Sequence, residues 1–586
     1  MKRKIIFSTL AIALLMAVLY ACKKDFLDTL PIASGSDVML ANEKGVNMLL
    51  VGAYAALDGQ INGSDWISWA SSVTNWVWGD VASDDASKGS GKDDQSPIAF
   101  IEDYTVLPSN VYVANKWSGN YAGIARANDV LKVMAKCDPA LADATQTSIK
   151  AQALFIRGYI HFELKRVFNN IPYITEDVDP VKVPNNVDTW PKIEADLQYA
   201  VDNLPTTQAQ VGRPTKYAAE AVLARVYLFQ KKWAEAKVLL DDIIASGKYS
   251  LMTNFGDNFN AANRNNKESI FEIQYSVNDG AIDSPNAGWG DCLNFPLVLD
   301  GAQPCCGFHV PTQNLVNAFQ VDAAGLPLLT GAVPNFKNDM RILFDANFVQ
   351  DTVTLVDPRL DLTVGRRGVP YLDWGIMRGS EWCNTPENCG PYLNKKNMFL
   401  KKDLGTGSTT TGWALGVNSN NYRVIRYAHI LLWRAEVAAE TGDLAMATTL
   451  VNMIRARANN QKLMGRCRTF ILLNQASLKV DNTVPAANYL VNPYPTTFTD
   501  LDYARKAIRT EMRLEFAMEG NRHFDLVRWG IAEPTINAYF DQDREFRILF
   551  GGVNPAVFIA NKNEYWPIPQ TQIDLQPGVL TQNPGY

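Results

Sequence analysis

A cluster of charged residues near the C-terminus has a spacing that could support catalysis: Glu519, Arg522, Asp525 and Arg528. Two carboxylates and two guanidinium groups this close together could move a proton to and from a substrate. The same alternation of sign is also what buried charges require, because each charge must be paired inside a fold. We favour this second interpretation and predict an ion network that fixes the helix end at Gly520 to the next helix.

Other catalytic patterns are missing from the sequence. It contains no His-Glu-x-x-His zinc motif and no Gly-x-Ser-x-Gly nucleophile elbow. Residues 86–92 resemble a phosphate-binding loop, but the first glycine is missing and Asp93 replaces the serine or threonine. Residues 541–545 lack the glycine and the length of a calcium-binding loop. We predict no enzyme activity and no cofactor; a glycosidase, which needs only two carboxylates, is the alternative that the sequence leaves open.

The cysteines and histidines do not form a recognisable metal site. The chain has eight cysteines and four histidines, and their spacing fits no zinc pattern. Cys383 and Cys389 flank a short loop and could form a disulfide in an oxidising compartment. Cys292 with Cys305 or Cys306 is another candidate pair. We interpret the cysteines as disulfide bonds that connect loop segments, or as buried thiols.

Aromatic and polar residues in loops favour ligand binding instead. The chain has 14 tryptophans and 22 tyrosines, and several lie outside any helical periodicity. Aromatic faces stack on the apolar faces of sugar rings, while polar side chains bond the hydroxyls. The aromatic candidates for ligand binding are Trp66, Trp76, Trp78, Trp289, Tyr371, Trp374 and Trp382. The polar candidates are Asn75, Asp84, Asp85, Lys88 and Arg378. We expect two or three of the aromatic candidates to be exposed together.

The elements that must position these residues are mostly helices. Apolar periodicity predicts a helix hairpin from residues 215–230 and 233–246. The same unit returns at residues 424–440 and 444–458, shifted by 211 residues. Small residues at matched positions let two helices approach closely, which is typical of tetratricopeptide-like hairpins.

Two further helix pairs complete the predicted scaffold: residues 116–134 with 146–168, and residues 38–57 with 501–518. We therefore predict a mainly α fold, in which about four tetratricopeptide-like helix pairs carry a large irregular, loop-rich insertion.

The insertion covers residues 276–420 and interrupts the helical pattern. It holds 16 of the 38 glycines and five of the eight cysteines. A long irregular excursion between two hairpins is usually functional, so we predict the variable ligand-binding region here. Residues 22–275, with a similar loop at 60–110, and residues 421–586 supply the scaffold. The proline-rich end, residues 554–586, should lie extended over the body.

The first 30 residues indicate export and a lipid anchor. A basic start, an apolar run over residues 5–20 and Ala21 directly before Cys22 are typical of a bacterial lipoprotein signal. Residues 1–21 would be removed and Cys22 would carry the lipid. An apolar run of about 16 residues is too short to span a bilayer. The net charge of −6, without basic runs, argues against a nucleic-acid partner.

Motifs spread over nearly the whole mature chain resemble the SusD/RagB family of Bacteroidota surface lipoproteins. The N-terminal motifs are Cys-Lys-Lys-Asp-Phe-Leu-Asp at 22–28, a Trp-Tyr-Ile-Ala-Asn pattern across 117–128, and Arg-Gly-Tyr-Ile-His-Phe-Glu-Leu from 157. The C-terminal motifs occupy residues 426–436, 511–530, 566–569 and 582–586.

The resemblance implies a helical scaffold beneath variable loops and a protein that is not an enzyme. It also implies a role at the extracellular face of the outer membrane, where the lipid-anchored protein binds a nutrient, usually a glycan. The nutrient then passes to a SusC-like TonB-dependent β-barrel transporter, over which such proteins sit as a lid. A peptide ligand, a surface glycoside-degrading enzyme and a purely structural lid are the alternatives.

Overall fold

The computed structural model describes residues 37–59, 68–281, 286–329, 348–410, 416–469, 479–549 and 556–586, with single positions 333, 336, 339 and 342. The predicted signal sequence, Cys22 and Trp66 lie outside these residues. The described chain is mainly helical, as predicted, and its strands are short. None of the described helices combines the length and the apolar character that crossing a membrane requires.

The longer helices are α1 (Glu43–Ala55), α2 (Val111–Met134), α3 (Asp143–Phe168), α4 (Trp190–Asn203), α5 (Lys216–Phe229), α6 (Trp233–Ala245), α7 (Tyr427–Glu440), α8 (Leu444–Ala458), α9 (Leu501–Phe516), α10 (Arg522–Trp529) and α11 (Ala532–Leu549). Shorter helices occupy Asp37–Leu40, Ser68–Ser71, Ser96–Glu102, Gln313–Ala318, Arg359–Thr363, Pro386–Cys389 and Gln570–Leu575, and a π-helix occupies Trp76–Val81.

Three of the predicted helix pairs are confirmed: α2 packs against α3, α5 against α6, and α7 against α8. The helices of the two hairpins related by the 211-residue shift approach through small residues. Ala224 and Ala236 of the first hairpin are fully buried, and so are their counterparts Ala435 and Ala447. Small side chains at these contacts let the ridges of one helix fit closely into the grooves of the other.

The predicted fourth pair is wrong. Helix α1 packs mainly against α2, whereas α9 packs against α7 and α8. Helix α4 packs against α3 and α5, and so extends the array between the hairpins. The start of the predicted helix 424–440 is also wrong, because residues up to Arg426 form a strand and the helix begins at Tyr427.

The strands form two-stranded sheets in the described chain. The antiparallel pairs are β1 (Ala86–Gly89) with β3 (Phe308–Pro311), β2 (Ser269–Ile273) with β7 (Tyr422–Arg426), β5 (Val364–Gly365) with β6 (Leu393–Asn394), and β8 (Met464–Thr469) with β9 (Lys479–Pro485). A parallel pair joins β4 (Leu355–Val356) and β10 (Asn488–Tyr489).

The β2–β7 pair closes the base of the loop-rich insertion. Ser269 lies opposite Arg426, and Ile273 lies opposite Tyr422. The chain therefore leaves the helical scaffold and returns to it at one place.

The C-terminal segment lies across the body, as predicted, but it is not extended throughout, because Gln570–Leu575 form a short helix. The backbone N–H of Trp566 donates to the carbonyl of Val167 at 3.0 Å, and Asn583 Nδ2 donates to the carbonyl of Phe168 at 2.7 Å. The Trp566 ring packs edge-on against Trp78, with centroids 5.3 Å apart.

Two apolar clusters hold the described chain together. The larger one runs through the helical scaffold. The smaller one, here called the insertion core, lies within the loop-rich insertion and consists of Phe295, Leu299, Tyr371, Trp374, Met377, Trp382, Cys383, Leu393, Met398 and Phe399. The described part of the insertion therefore buries the aromatic side chains of this cluster instead of displaying them.

Candidate ligand-binding site

The charged cluster near the C-terminus is part of an ion network, as predicted. Glu519 Oε1 lies 2.6 Å from Lys396 Nζ and 2.9 Å from Arg426 Nη2. Burial alone would raise the pKa of Glu519, but the two cations outweigh it and lower that pKa. The two contacts favour the ionised form of Glu519, which fits the role of a buried ion pair.

The remaining members of the cluster tie α10 to its surroundings. Arg522 Nε lies 2.8 Å from Asp84 Oδ1, and Arg528 contacts both Asp525 at 2.8 Å and Glu436 at 2.7 Å. The N–H of Gly520 donates to Asp80 Oδ2 at 2.7 Å. These contacts fix the segment around Gly520 and α10 to the loop at residues 60–110 and to α7, whereas the predicted link from this helix end to the next helix is not among them.

The polar candidates of that loop are buried and bonded within the protein. Asp85 Oδ1 lies 2.7 Å from Arg513 Nε, and Asp84 accepts from Arg513 and Arg522. Lys88 Nζ donates to three backbone carbonyls at 2.8–2.9 Å. Asn75 Nδ2 donates to Glu163 at 2.7 Å. These side chains shape the loop from inside, and their role as direct ligand contacts stays a prediction.

The aromatic candidates are also buried. The six that the structure describes are at most 8% exposed: Trp76, Trp78, Trp289, Tyr371, Trp374 and Trp382. The expectation that two or three would be exposed together is therefore wrong, because three of the rings belong to the insertion core and the other three to the larger cluster of the scaffold. Trp76 Nε1 donates to the carbonyl of Gly290 and Trp78 Nε1 to that of Ala70, both at 2.8 Å. Ligand contact by these rings remains untested.

Among the candidates that the structure describes, Arg378 stays partly exposed. Its Nη2 lies 2.6 Å from Asp300, and its Nη1 lies 3.3 Å from Glu381. Leu297 and Val298, in the same part of the chain as Asp300, are exposed. The backbone N–H of Leu297 donates to the carbonyl of Trp382, which belongs to the insertion core. The insertion core therefore supports a surface with an ion triad and apolar side chains.

The two loop-rich regions meet at a contact that the sequence did not predict. Strands β1 and β3 pair with Gly89 opposite Phe308, and Ser90 N donates to the carbonyl of Gly307 at 2.9 Å. Asn384 Nδ2 donates to Ser90 Oγ and to the carbonyl of Cys306, both at 2.8 Å. We call Ser90, Cys306, Gly307 and Asn384 the loop junction.

Gly307 gives the sequence signal for this junction. Its φ of +81° favours glycine, and a Cβ there would lie 2.5 Å from the Cβ of Asn384. Any larger residue would force the segments apart. Glycine at such a position marks a close approach, but the sequence does not say which segment approaches.

Two adjacent cysteines lie together as a pair that the sequence did not predict. The sulfur atoms of Cys305 and Cys306 are neighbours, and the structure pairs Cys292 with neither of them. The side chain of Cys389, the expected partner of Cys383, lies outside the described residues.

Two cavities lie on the helical scaffold and contain none of the predicted site residues. One of 760 Å³ is formed by α4, α5 and α6. The other, of 410 Å³, lies between α2, residues 172–181 and the C-terminal segment. Among the described residues, no group of three or more histidine, cysteine, aspartate or glutamate side chains is placed to hold a metal ion.

Comparison with known proteins gives the family. The SusD family profile matches residues 267–586, which is more than half of the chain. The chain belongs to the SusD family. A second profile, described as starch-binding associating with outer membrane, matches residues 25–228 of this SusD-family protein. The loop junction contains residues of both matched regions, because Ser90 follows β1 within residues 25–228 and Gly307 precedes β3 within residues 267–586.

Individual proteins share the fold over nearly the full length. SusD-like protein P2 of Formosa agariphila is 26% identical over 565 residues, which cover 91% of this chain and 92% of the relative. A laminarin-binding SusD-like protein has 22% identity and a TM-score of 0.63, over 93% of this chain and all of its own. Surface glycan-binding protein A of Bacteroides thetaiotaomicron, in complex with laminarihexaose, has 20% identity and a TM-score of 0.59. The match covers 92% of this chain and 99% of that protein's chain.

Proposed function

We propose that this protein is a non-catalytic, glycan-binding lipoprotein at the extracellular face of the outer membrane. It delivers its ligand to a SusC-like TonB-dependent β-barrel transporter. The observation that carries the proposal is its membership of the SusD family, whose profiles match residues 25–228 and 267–586. Structural neighbours that bind laminarin or laminarihexaose support a glycan as the ligand.

The surface around Arg378 and the loop junction is the proposed binding region. Arg378, Asp300 and Glu381 form a partly exposed triad, and Leu297 and Val298 lie nearby in the insertion. The triad presents N–H donors and carboxylate acceptors, while the apolar side chains can pack on a sugar face. Since two carboxylates surround one guanidinium, the triad carries a net negative charge, which would repel an anionic glycan and suits a neutral one.

The same triad argues against glycoside hydrolysis at this surface. A glycosidase uses two carboxyl groups about 5–9.5 Å apart, one of which must donate a proton. Asp300 and Glu381 both contact the guanidinium of Arg378. Carboxylates that share one arginine serve better as hydrogen-bond acceptors for a ligand than as a general acid.

Calorimetry with the purified protein tests binding. The panel contains neutral α- and β-glucans, charged oligosaccharides and a mixture of short peptides. We expect saturable heat with one neutral glycan class and no products after prolonged incubation. The variant Arg378→Ala should weaken binding, whereas Arg544→Ala, an exposed arginine on α11, should not. No heat with any glycan, heat with peptides alone, or glycan cleavage would overturn the proposal.

Delivery to a transporter requires a separate test. A tagged copy, cross-linked in outer membranes and purified, should bring down a TonB-dependent β-barrel in about equal amount. Recovery of the tagged protein without any such barrel would contradict the delivery role and leave glycan binding intact.

A further inference from the structure

The 410 Å³ cavity lies on the helical scaffold and does not include the loop junction or Arg378. Helix α2 forms one wall, residues 172–181 form the second, and Gln572 and Gln576 form the third. We propose that this cavity is a second carbohydrate site, which binds a short neutral saccharide. The choice of ligand class rests on the proposed function, while the site itself is argued from the cavity.

The first wall is aromatic and fixed. Trp117 and Tyr121 lie one turn apart on α2, and their ring centroids are 4.8 Å apart. The hydroxyl of Tyr121 donates to the carbonyl of Pro172 at 2.8 Å, which holds the ring in place. Trp117 is 4% exposed, so the partly exposed ring of Tyr121 offers the surface on which the apolar face of a sugar ring packs.

The opposite wall carries amide groups. Gln572 lies in the short C-terminal helix and Gln576 is the residue directly after it, and both line the cavity. The Oε1 atom of Gln576 is buried and accepts no hydrogen bond from any described residue. A buried acceptor without a donor is unfavourable, and rotation of the Gln576 side chain into the cavity would let a sugar hydroxyl satisfy it.

The short helix that carries these amides is held on its N-terminal side. The N–H of Gln570 donates to the carbonyl of Pro108 at 3.0 Å. After the helix, Asn185 Nδ2 donates to the carbonyl of Thr581 at 2.8 Å. The amide wall is therefore part of the folded body, and its distance from the aromatic wall is set before a ligand arrives.

The charge and size of the cavity favour a neutral saccharide. Among its described lining residues, the charged one is Lys132, which is exposed and lies 4.0 Å from Asp129. The volume lies within the range of about 300–1,000 Å³ typical of small-molecule sites. Amide and hydroxyl groups both donate and accept, as sugar hydroxyls do. A peptide strand would instead need a row of free backbone groups, and no described strand lines the cavity.

Saturation-transfer NMR with the full protein tests the proposal. The probes are maltose, cellobiose and laminaribiose, and an N-acetylated tetrapeptide mixture is the comparison. We expect at least one disaccharide to bind saturably and Gln576→Ala to weaken it about tenfold. The matched control is Gln570→Ala, since Gln570 belongs to the same short helix but does not line the cavity. In protein labelled with 5-fluorotryptophan, the Trp117 resonance should shift on binding.

Each outcome bears on one site. Arg378→Ala should leave disaccharide binding in the cavity unchanged while it weakens the longer glycan of the proposed function. Absence of disaccharide binding, an unchanged affinity in Gln576→Ala, or peptide binding in place of sugar would overturn the second site. If the cavity binds disaccharide and Arg378→Ala has no effect on any glycan, the proposed loop site fails and the second site stands.

Discussion

The amide nitrogen of Asn384 donates a hydrogen bond of 2.8 Å to the hydroxyl of Ser90, although 294 residues separate them in sequence. A second bond from the same nitrogen reaches the carbonyl of Cys306, also at 2.8 Å. One side chain therefore joins three segments from the two loop-rich regions. If this surface binds the glycan, its shape depends on Asn384.

We expect Asn384→Ala to weaken glycan binding about tenfold, because the three segments lose their common partner. The free energy of unfolding should fall by only about 1–3 kcal/mol, the net value of two hydrogen bonds. Calorimetry and urea denaturation measure the two effects. Asn278→Ala is the control, since this exposed asparagine of the insertion makes one bond, to the carbonyl of Gly405 at 3.0 Å. Equal affinity in Asn384→Ala and wild type would show that the junction does not shape the site.

Trp374→Ala should lower the free energy of unfolding. The ring is 2% exposed, and Nε1 donates to the carbonyl of Phe399 at 3.1 Å. Truncation of a buried tryptophan costs about 3–5 kcal/mol. Since Trp374 belongs to the insertion core, we expect faster hydrogen exchange in the insertion and little change in α5 and α6. Trp374→Phe, which keeps an aromatic ring, should be milder. Uniformly faster exchange over the whole chain would contradict a separate insertion core.

Trp66→Ala should lower the affinity for the glycan. The other six aromatic candidates are buried. Trp66 lies outside the described residues, so its predicted contact with the ligand stays a prediction. Removal of an aromatic contact residue lowers affinity about tenfold or more. We expect such a loss in calorimetry with an unchanged melting temperature, and a smaller loss in Trp66→Phe. Wild-type affinity in Trp66→Ala would remove this residue from the site.

The helical scaffold was largely predictable because its signals are local. Apolar periodicity located α5, α6 and α8 to within one or two residues at each end. The start of α7 was missed because strand β7 precedes the helix without a break. All five residues of β7 are buried, so the apolar pattern of the strand runs on into that of the helix. The pairing of β7 with β2 depends on a partner about 150 positions earlier, which no local pattern records.

The candidate site was predicted less well because its determinants are not local. Tryptophans in glycine-rich segments suggested display to solvent, but Trp374 and Trp382 pack together with Tyr371 in the insertion core. Nothing in the local sequence distinguishes an exposed loop aromatic from one that completes such a cluster. The polar candidates Asp84 and Asp85 likewise meet their arginines only through the tertiary fold.

The lipid anchor predicts that Cys22→Ala changes location without changing affinity. Acyl chains on Cys22 would contribute about 0.8 kcal/mol of membrane affinity per buried CH₂. We expect the variant to lose labelling by radioactive palmitate and to leave the membrane fraction, with wild-type glycan affinity in calorimetry. Cys137→Ala is the control, because Cys137 is a free, partly buried thiol on the scaffold. Membrane retention of Cys22→Ala after a salt wash would contradict lipidation at this residue.

Asp84 and Asp85 are adjacent buried carboxylates whose pKa values shift in opposite directions. Burial favours a higher pKa at both, but Arg513 and Arg522 outweigh it at Asp84 and lower that pKa to about 2. At Asp85, burial dominates over Arg513, and the pKa rises to about 6.

These two shifts have opposite effects on stability, because the pKa of either residue is about 3.9 in the unfolded chain. Asp84 therefore adds stability that is present above pH 4 and is lost as the pH falls toward 2. Asp85 has the opposite sign, so its ionisation lowers stability as the pH rises from about 4 to 6.

The two carboxylates can be separated by mutation. We expect Asp85→Asn to flatten the fall of unfolding free energy between pH 4 and 6, because the titrating group is gone. Asp84→Asn should destabilise the fold by about 2 kcal/mol at pH 7, since Arg522 loses its charged partner, and the difference from wild type should shrink toward pH 2. Urea denaturation from pH 2 to 8 measures both profiles, with the exposed Asp93→Asn of the same loop as control. An Asp85→Asn profile that overlays wild type from pH 4 to 6 would show that Asp85 is already ionised in that range, and that the arginines outweigh burial at both positions.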